Sequence, residues 1–353
     1  MLPRLARVSR CPLEALLRVA GILVALGVTA LLLWALNISP LDAFELIVSG
    51  AFGSPARLAY VLTAWVPIIF CASGLLITFT AGLWNIGIEG QVVMGAVFTT
   101  GALRALQGVV PPSLVLAIGL LAGLLGGMFW AWVAGALKLY GNVNEIFGGL
   151  GLNFIAGSLT VYLVLGPWKR PGIGSTSGTQ PFPPSLWLPA LPGFNVSAVE
   201  IMLGLSAIVL VALALRGTYF GLRLQAVGRN RRAALRLGVR TERYLLLAFA
   251  FCGALAGLTG WVLIVGTSAR HNLFPLISSG YGFLAILVVL LANRSAFWTL
   301  LISFFFAAIS MGSLQLALQR QLDSSLGGVM QGLLVLSILV TQGLRVWLAK
   351  RKG

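Results

Sequence analysis

Ten apolar stretches of bilayer length follow one another along the chain, at roughly 16–38, 58–80, 91–107, 113–137, 146–167, 199–216, 244–267, 277–292, 296–314 and 326–344. Inside lipid the backbone has no water to bond, so each stretch must satisfy its own donors and acceptors, which selects the α-helix. The expected fold is an all-α polytopic membrane protein with about ten transmembrane helices and both termini cytoplasmic. Composition agrees: 59% of the 353 residues are hydrophobic, 9% are charged, and the mean hydropathy is +0.99. The first stretch follows several arginines and is longer than the apolar part of a cleaved signal peptide, so it reads as an uncleaved first helix.

The net charge of +16 is distributed as orientation and lipid require. Basic residues gather at 4–18, 216–243 and 345–352, just outside apolar spans, a placement that suits the positive-inside rule and anionic lipid head groups and speaks against nucleic acid. Alternation from an inside N-terminus puts the arginine-rich loop after the sixth span and the basic tail after the tenth in the cytoplasm. The chain reads as one transmembrane domain over 1–353, with an external loop at 168–198 and a cytoplasmic loop at 217–243. The external loop lies in a region, 167–192, that holds seven of the fifteen prolines together with Trp168 and Trp187. It reads as a connector, or as a landing surface for an external protein.

Eight of the twenty arginines fall in 216–243, beside a single acid, Glu242. Asn230 is placed to cap a short helix through Arg231, Arg232, Ala233, Ala234, Leu235, Arg236 and Leu237, with Gly238 as its stop. Arginines in a first helical turn oppose the macrodipole, and an acidic surface on another protein would offset that. The segment is therefore either a topology-setting loop or a docking helix for a soluble partner.

Two further places put polar residues where an apolar wall is expected. In 82–91, GLWNIGIEGQ, glycines interrupt two apolar runs and Asn85, Glu89 and Gln91 crowd together. A carboxylate at membrane depth costs about 2.5–3.5 kcal/mol and needs a partner or a water-filled cavity. Broken, glycine-rich helices line mid-membrane sites in transporters, and the alternative is that Glu89 pins the loop at the interface. In 141–154, GNVNEIFGGLGLNF, Asn144 can cap the fifth span with Glu145 in its first turn, while Asn153, about two turns further in, must face a neighbour or a pore. Pro67 is expected to kink the second span, 42–57 to form an amphipathic external segment on Phe44, Ile47, Val48 and Phe52, and the glycines at 119, 123, 127, 253 and 257 to form close helix contacts.

Catalytic chemistry has little to stand on. Cys11, Cys71 and Cys252 show no paired spacing, and His271 is the only histidine, so neither a disulfide framework nor a metal site follows. No lysine completes a GxxxxGK loop, and HExxH and GxSxG are absent. The chain reads as a non-enzyme without a cofactor of its own.

Three blocks carry a resemblance: 82–91, NEIFGGLGLNFIA at 144–156, and GLRLQAVGRNRRAALRLGV at 221–239, with GYGFLAILVVLLANRS at 280–295 as a fourth. Together they resemble the permease subunits of ABC importers in the branched-chain amino acid and sugar superfamily, nearest the purine nucleoside branch that works with lipoprotein binding proteins. The resemblance implies a type II-like importer permease of the bacterial plasma (inner) membrane. Its partners would be a second permease, in a heterodimer or a homodimer, a cytoplasmic subunit that binds ATP and Mg, and an extracytoplasmic solute-binding protein. By position, Gly228, Arg229, Asn230, Arg231, Arg232, Ala233, Ala234 and Gly238 fall on the segment that couples to the ATPase. Asn85, Glu89, Gln91, Asn144, Glu145 and Asn153 fall near the translocation path. Gly148 and Gly149 stand where relatives often have small hydroxyl residues, Leu284 where a polar residue is common, and Ala292 and Asn293 replace a usual Leu-Gly or Gly before Arg294. These departures touch the substrate, which is expected to be a nucleoside or a related small polar solute, alternatively a simple sugar. A secondary transporter acting alone is the competing class; its ion-coupling site would have to use Glu89 or Glu145.

Overall fold

The computed structural model describes residues 23–351 apart from 25, 32, 36–38, 173–176, 268 and 321–325. Its helices in chain order are α1 (Pro40–Phe52), α2 (Pro55–Thr80), α3 (Ile88–Leu106), α4 (Pro112–Leu139), α5 (Glu145–Leu165), α6 (Ala198–Gly217), α7 (Tyr219–Arg229), α8 (Arg231–Arg236), α9 (Thr241–Val265), α10 (Tyr281–Leu291), α11 (Ala296–Arg320) and α12 (Leu326–Arg351). Their ends carry ordinary punctuation. Asn144 accepts the N–H of Ile146, Thr218 that of Gly221 and Asn230 that of Ala233, while Pro112 opens α4, where a missing N–H costs nothing.

The expected spans fall where helices form, with differences of length. Among the described residues six helices, α2, α4, α5, α6, α9 and α11, are long and apolar enough to cross a membrane. The stretch at 277–292 contains only the 11-residue α10, which rises about 16 Å, half a hydrocarbon layer. The first expected span lies in part outside the described residues.

The chain divides into two compact units, 1–58 with 308–353, and 59–307. In the smaller unit α1 is helical as expected, but the face it buries is Ala43, Ile47, Gly50 and Ala51, leaving Val48 and Phe52 exposed. The cause is Gly50: a Cβ there would lie 3.1 Å from the Gly312 Cα, so the small face turns inward to meet α11 backbone to backbone.

In the larger unit α2 runs through the middle, with 94% of its apolar window buried. It continues helically through Pro67, whose carbonyl is approached by the Thr259 hydroxyl at 3.4 Å. Helices α3, α4 and α9 meet on glycine. A Cβ at Gly127 would overlap the Gly253 carbonyl and stand 2.6 Å from the Gly257 Cα, and one at Gly95 would overlap Gly257 from the other side. The pairing of 123 with 257 and 127 with 253 makes α4 and α9 antiparallel. Because lipid tails are as apolar as leucine, helices in a membrane gain little by burying bulk; close backbone approach supplies the dispersion contacts instead.

The proline-rich region is more than a connector. Thr179 donates its N–H to Leu273 O and Phe182 its N–H to His271 O, both at 2.8 Å, and Leu188 does the same to Val265 O. Asn272 returns bonds to the carbonyls of Ser177 and Thr179, and Trp187 stacks on His271 at 3.8 Å. The segment beyond 176 is thus laced to the irregular run between α9 and α10.

Two outcomes follow. Gly257→Leu, which drives a side chain into two backbones at once, is expected to lower stability by about 1–3 kcal/mol or more, read as a lower Tm in detergent, whereas Gly343→Leu, with open space around it, leaves Tm unchanged. Burial holds the His271 imidazole below its ordinary value, so the unfolded chain takes up its proton first as pH falls. Stability contributed here is complete above about pH 6.5 and declines below it, and a His271→Phe variant is expected to flatten that part of a Tm-versus-pH curve.

Candidate functional site

Three of the four polar blocks converge inside the larger unit, and a broken helix on each side explains why. The chain leaves α2 at Thr80, turns at Gly82 (φ 75°), and climbs back without helical hydrogen bonding before α3 begins at Ile88. The loop re-enters the core: the Asn85 amide donates to the Cys252 Sγ at 3.1 Å, and Cys252 is about 16 Å along α9 from Thr241. On the opposite side, α10 begins at a left-handed Gly280 (φ 78°) after a run that also holds His271, Leu276 and Ser279 at positive φ. The N-termini of α3 and α10 therefore meet about half-way along α9, and two helix ends with unsatisfied N–H groups stand in the apolar middle of the protein.

Side chains from the expected site residues satisfy them. Glu89, in the first turn of α3, accepts the N–H of Gly280 on one carboxylate oxygen at 2.9 Å and that of Gly282 on the other at 2.8 Å. A negative group at a helix N-terminus is favoured by both the free donors and the macrodipole, so the carboxylate finds its partner in α10 and not in a cation. Gly282 is required by the approach, since a Cβ there would stand 2.5 Å from the Glu89 Oε2. Asn85 and Gln91 exchange two amide hydrogen bonds, each 3.0 Å, across the turn. Asn153, on α5, accepts the Gly90 N–H at 2.8 Å and donates to Ile86 O at 3.0 Å, which fastens the loop to α5 from outside. The neighbour that Asn153 had to face is this loop. Gly149 sits one turn earlier, and a Cβ on it would reach the Gly87 N at 2.6 Å. The missing hydroxyl at 149 thus leaves room for the backbone of the loop.

Asn144 and Glu145 lie apart from this cluster, at the turn between α4 and α5. Asn144 caps α5, and Glu145 pairs with Lys138 at 2.6 Å. Their polar groups close the hairpin.

The arginine segment is a helical elbow. Thr218 caps α7, the Gln225 amide donates to Leu215 O at 2.9 Å, Asn230 ends α7 and caps α8 at once, and Gly238 (φ 79°) stops α8 in the left-handed conformation. On α8 only Ala234 is buried; Arg231, Arg232 and Arg236 are exposed, as are Leu235 and Leu237. The elbow touches the loop directly. Gly228 lies so close to the end of α2 that a Cβ would overlap the Thr80 carbonyl, and a Cβ at Gly82 would stand 3.2 Å from Gly228 O. Arg294, at the end of the fourth block, donates to Phe79 O at 3.4 Å from a backbone held at φ 61°, with Asn293 at φ 48° before it. Asparagine tolerates that left-handed position, which accounts for its standing where glycine is usual.

Sequence reasoning missed Glu200. It is 1% exposed near the start of α6 and accepts the N–H of Thr267 at 2.8 Å, fixing the point where the chain leaves α9. The signal was available in an acid two residues beyond Ala198, at the border of an apolar span, where it suits the first turn. Among the described residues no group of three or more metal-ligating side chains comes together.

A helical membrane chain with helices broken at mid-depth and a basic elbow packed against the break has the build of a multi-pass transport protein. Comparison with known proteins makes this specific. The family described as "Branched-chain amino acid transport system / permease component" matches residues 57–339, and the chain belongs to it. It is 30% identical over 334 residues, 92% of this chain and 87% of the relative, to the glucose ABC transporter permease protein TsgB13 of Haloferax volcanii. It is 23% identical to the guanosine ABC transporter permease protein NupP of Bacillus subtilis, over 94% of this chain and 95% of that one. A second protein of the same organism, the guanosine ABC transporter permease protein NupQ, is 25% identical over 66% of this chain and 72% of its own length. The chain is thus an ABC transporter permease, a multi-pass protein of the plasma membrane.

Glu89→Gln keeps the shape but offers one acceptor and one donor to two N–H groups. It is expected to cost about 1.5–3 kcal/mol, read as a lower Tm in detergent, and an unchanged Tm would remove the carboxylate from its role of tying α3 to α10.

Proposed function

We propose that the chain is the pore subunit of an ABC importer for a nucleoside or a related small polar solute, with ATP and Mg bound by a cytoplasmic partner. The contact of Gly228 with Thr80 and Gly82 carries this reading. An ATPase seated on α8 would move the elbow, and the elbow abuts the loop that is bonded to α3, α5 and α9, with α3 bonded in turn to α10 through Glu89. A displacement at α8 then reaches Asn85, Glu89, Gln91 and Asn153 through backbone contact, which has no flexible side chain to absorb it. In this reading those four residues hold the broken helices that border the translocation path, Asn144 and Glu145 set the hairpin that carries Asn153, and 229–238 is the coupling segment. Three arginines and Leu235 on so short a helix, with an exposed Leu237 just past its end, suit a partner groove with an acidic rim and an apolar floor.

The guanosine permeases among the relatives favour a nucleoside, and the presence of two of them in one organism favours a pore built from two different permeases. The glucose permease keeps a simple sugar as the alternative solute. A solute-binding protein on the external side would deliver either. A lone secondary transporter is disfavoured because Glu89 and Glu145, the acids it would use for ion coupling, are engaged by Gly280, Gly282 and Lys138.

The test is to capture the tagged chain from mild detergent beside the triple variant Arg231→Glu, Arg232→Glu, Arg236→Glu. Wild type is expected to bring down ATPase activity and the variant to lose most of it while inserting normally. Equal ATPase with both would sink the docking role of α8, and proton- or sodium-driven uptake by the chain alone in liposomes would replace the importer with a carrier.

A further inference from the structure

A cavity of about 640 Å³ opens beside the first turns of α9. Arg223, Arg240 and Arg243 line one end of it, with Tyr244, whose hydroxyl accepts from the Arg223 guanidinium at 2.9 Å. Leu247 and Ala250, one and two turns further along the same face of α9, line the other end together with Trp132 of the antiparallel α4. The lining therefore changes from cationic to apolar along the direction in which α9 enters the membrane. None of the three arginines forms an ion pair with a carboxylate of this chain among the described residues, where the ion pairs are Lys138 with Glu145 and Asp42 with Arg320. The nearest acid in sequence, Glu242, is exposed and does not line the cavity.

We propose that this cavity binds one anionic phospholipid, its phosphate on Arg240 and Arg243 and an acyl chain along Trp132, Leu247 and Ala250. Guanidinium groups offer paired donors to a phosphate diester, and tyrosine and tryptophan sit where head group gives way to hydrocarbon. A soluble phosphate would use the arginines and leave the apolar wall idle, so the shape of the lining selects the lipid. The site adjoins Gly238 and Val239, the end of the elbow, so its occupant braces α8 against α9. The inference needs only that α9 spans the membrane and stands whether or not α8 meets an ATPase.

The experiment uses the full chain in a neutral detergent. Tm is measured with phosphatidylglycerol, with phosphatidylcholine and with glycerol 3-phosphate, and lipids retained are counted by native mass spectrometry. Phosphatidylglycerol is expected to raise Tm by several degrees and to stay bound as one molecule. Both effects should fall by at least half in Arg240→Gln/Arg243→Gln and in Trp132→Ala, but persist in Arg216→Gln/Arg294→Gln, which removes equal charge elsewhere. An equal rise with phosphatidylcholine overturns the proposal, as does an equal rise with glycerol 3-phosphate, which would leave only a soluble-anion site. Equal loss in the Arg216/Arg294 variant would reduce the effect to general charge and overturn it too.

Discussion

An apolar slab does not forgive an unpaired backbone group, and this protein places two helix N-termini in the middle of one. Free N–H groups at that depth cost several kcal/mol each unless something accepts from them. Glu89 is that acceptor for α10, taking one N–H on each carboxyl oxygen. The rest of the cluster follows from the same constraint. The Asn85 and Gln91 amides close on each other, with Cys252 Sγ as a further acceptor for Asn85, and Asn153 takes up the Gly90 N–H and the Ile86 carbonyl that the break leaves open. The polar residues that make the segment look like a binding site are first of all what permits the chain to be irregular there.

The elbow matters because of where it rests. Its helix α7 lies against the carbonyl end of α2 at Gly228, and the next few residues of the chain are the re-entrant loop. Two segments nearly 150 residues apart in sequence therefore share one backbone contact; Gly228 has no room for a methyl group, and Gly82 combines a tight approach with a left-handed φ of 75°. The basic segment and the mid-depth cluster, which read as separate candidates along the chain, form one continuous path of main-chain contact.

Local signals were legible in the sequence and pairings were not. Asn230, Gly238 and Asn144 do what their chemistry and neighbours indicate, since a cap involves only the next few residues. The apolar spans located the helices because burial in lipid needs only length and composition. What could not be read is which group answers Glu89, because Gly280 and Gly282 lie some 190 residues on and become its partners only once α3 and α10 are both broken at the same depth. The eighth span reads four residues too long at its start for a related reason: the apolar run proper begins at Tyr281, and Ser278, Ser279 and a left-handed Gly280 before it belong to the turn that starts the helix. Likewise the absent side chain at Gly149 reads as a lost polar contact until the backbone of Gly87 is seen against it.

The glycine contacts among α3, α4 and α9 have a mechanical meaning. Where backbone rests on backbone there are no rotamers to exchange and no gaps to repack, so these three helices share a joint without play. In the proposed importer they would be the stator of the subunit, and any hinge would fall to the segments that hold no helical hydrogen bonds of their own.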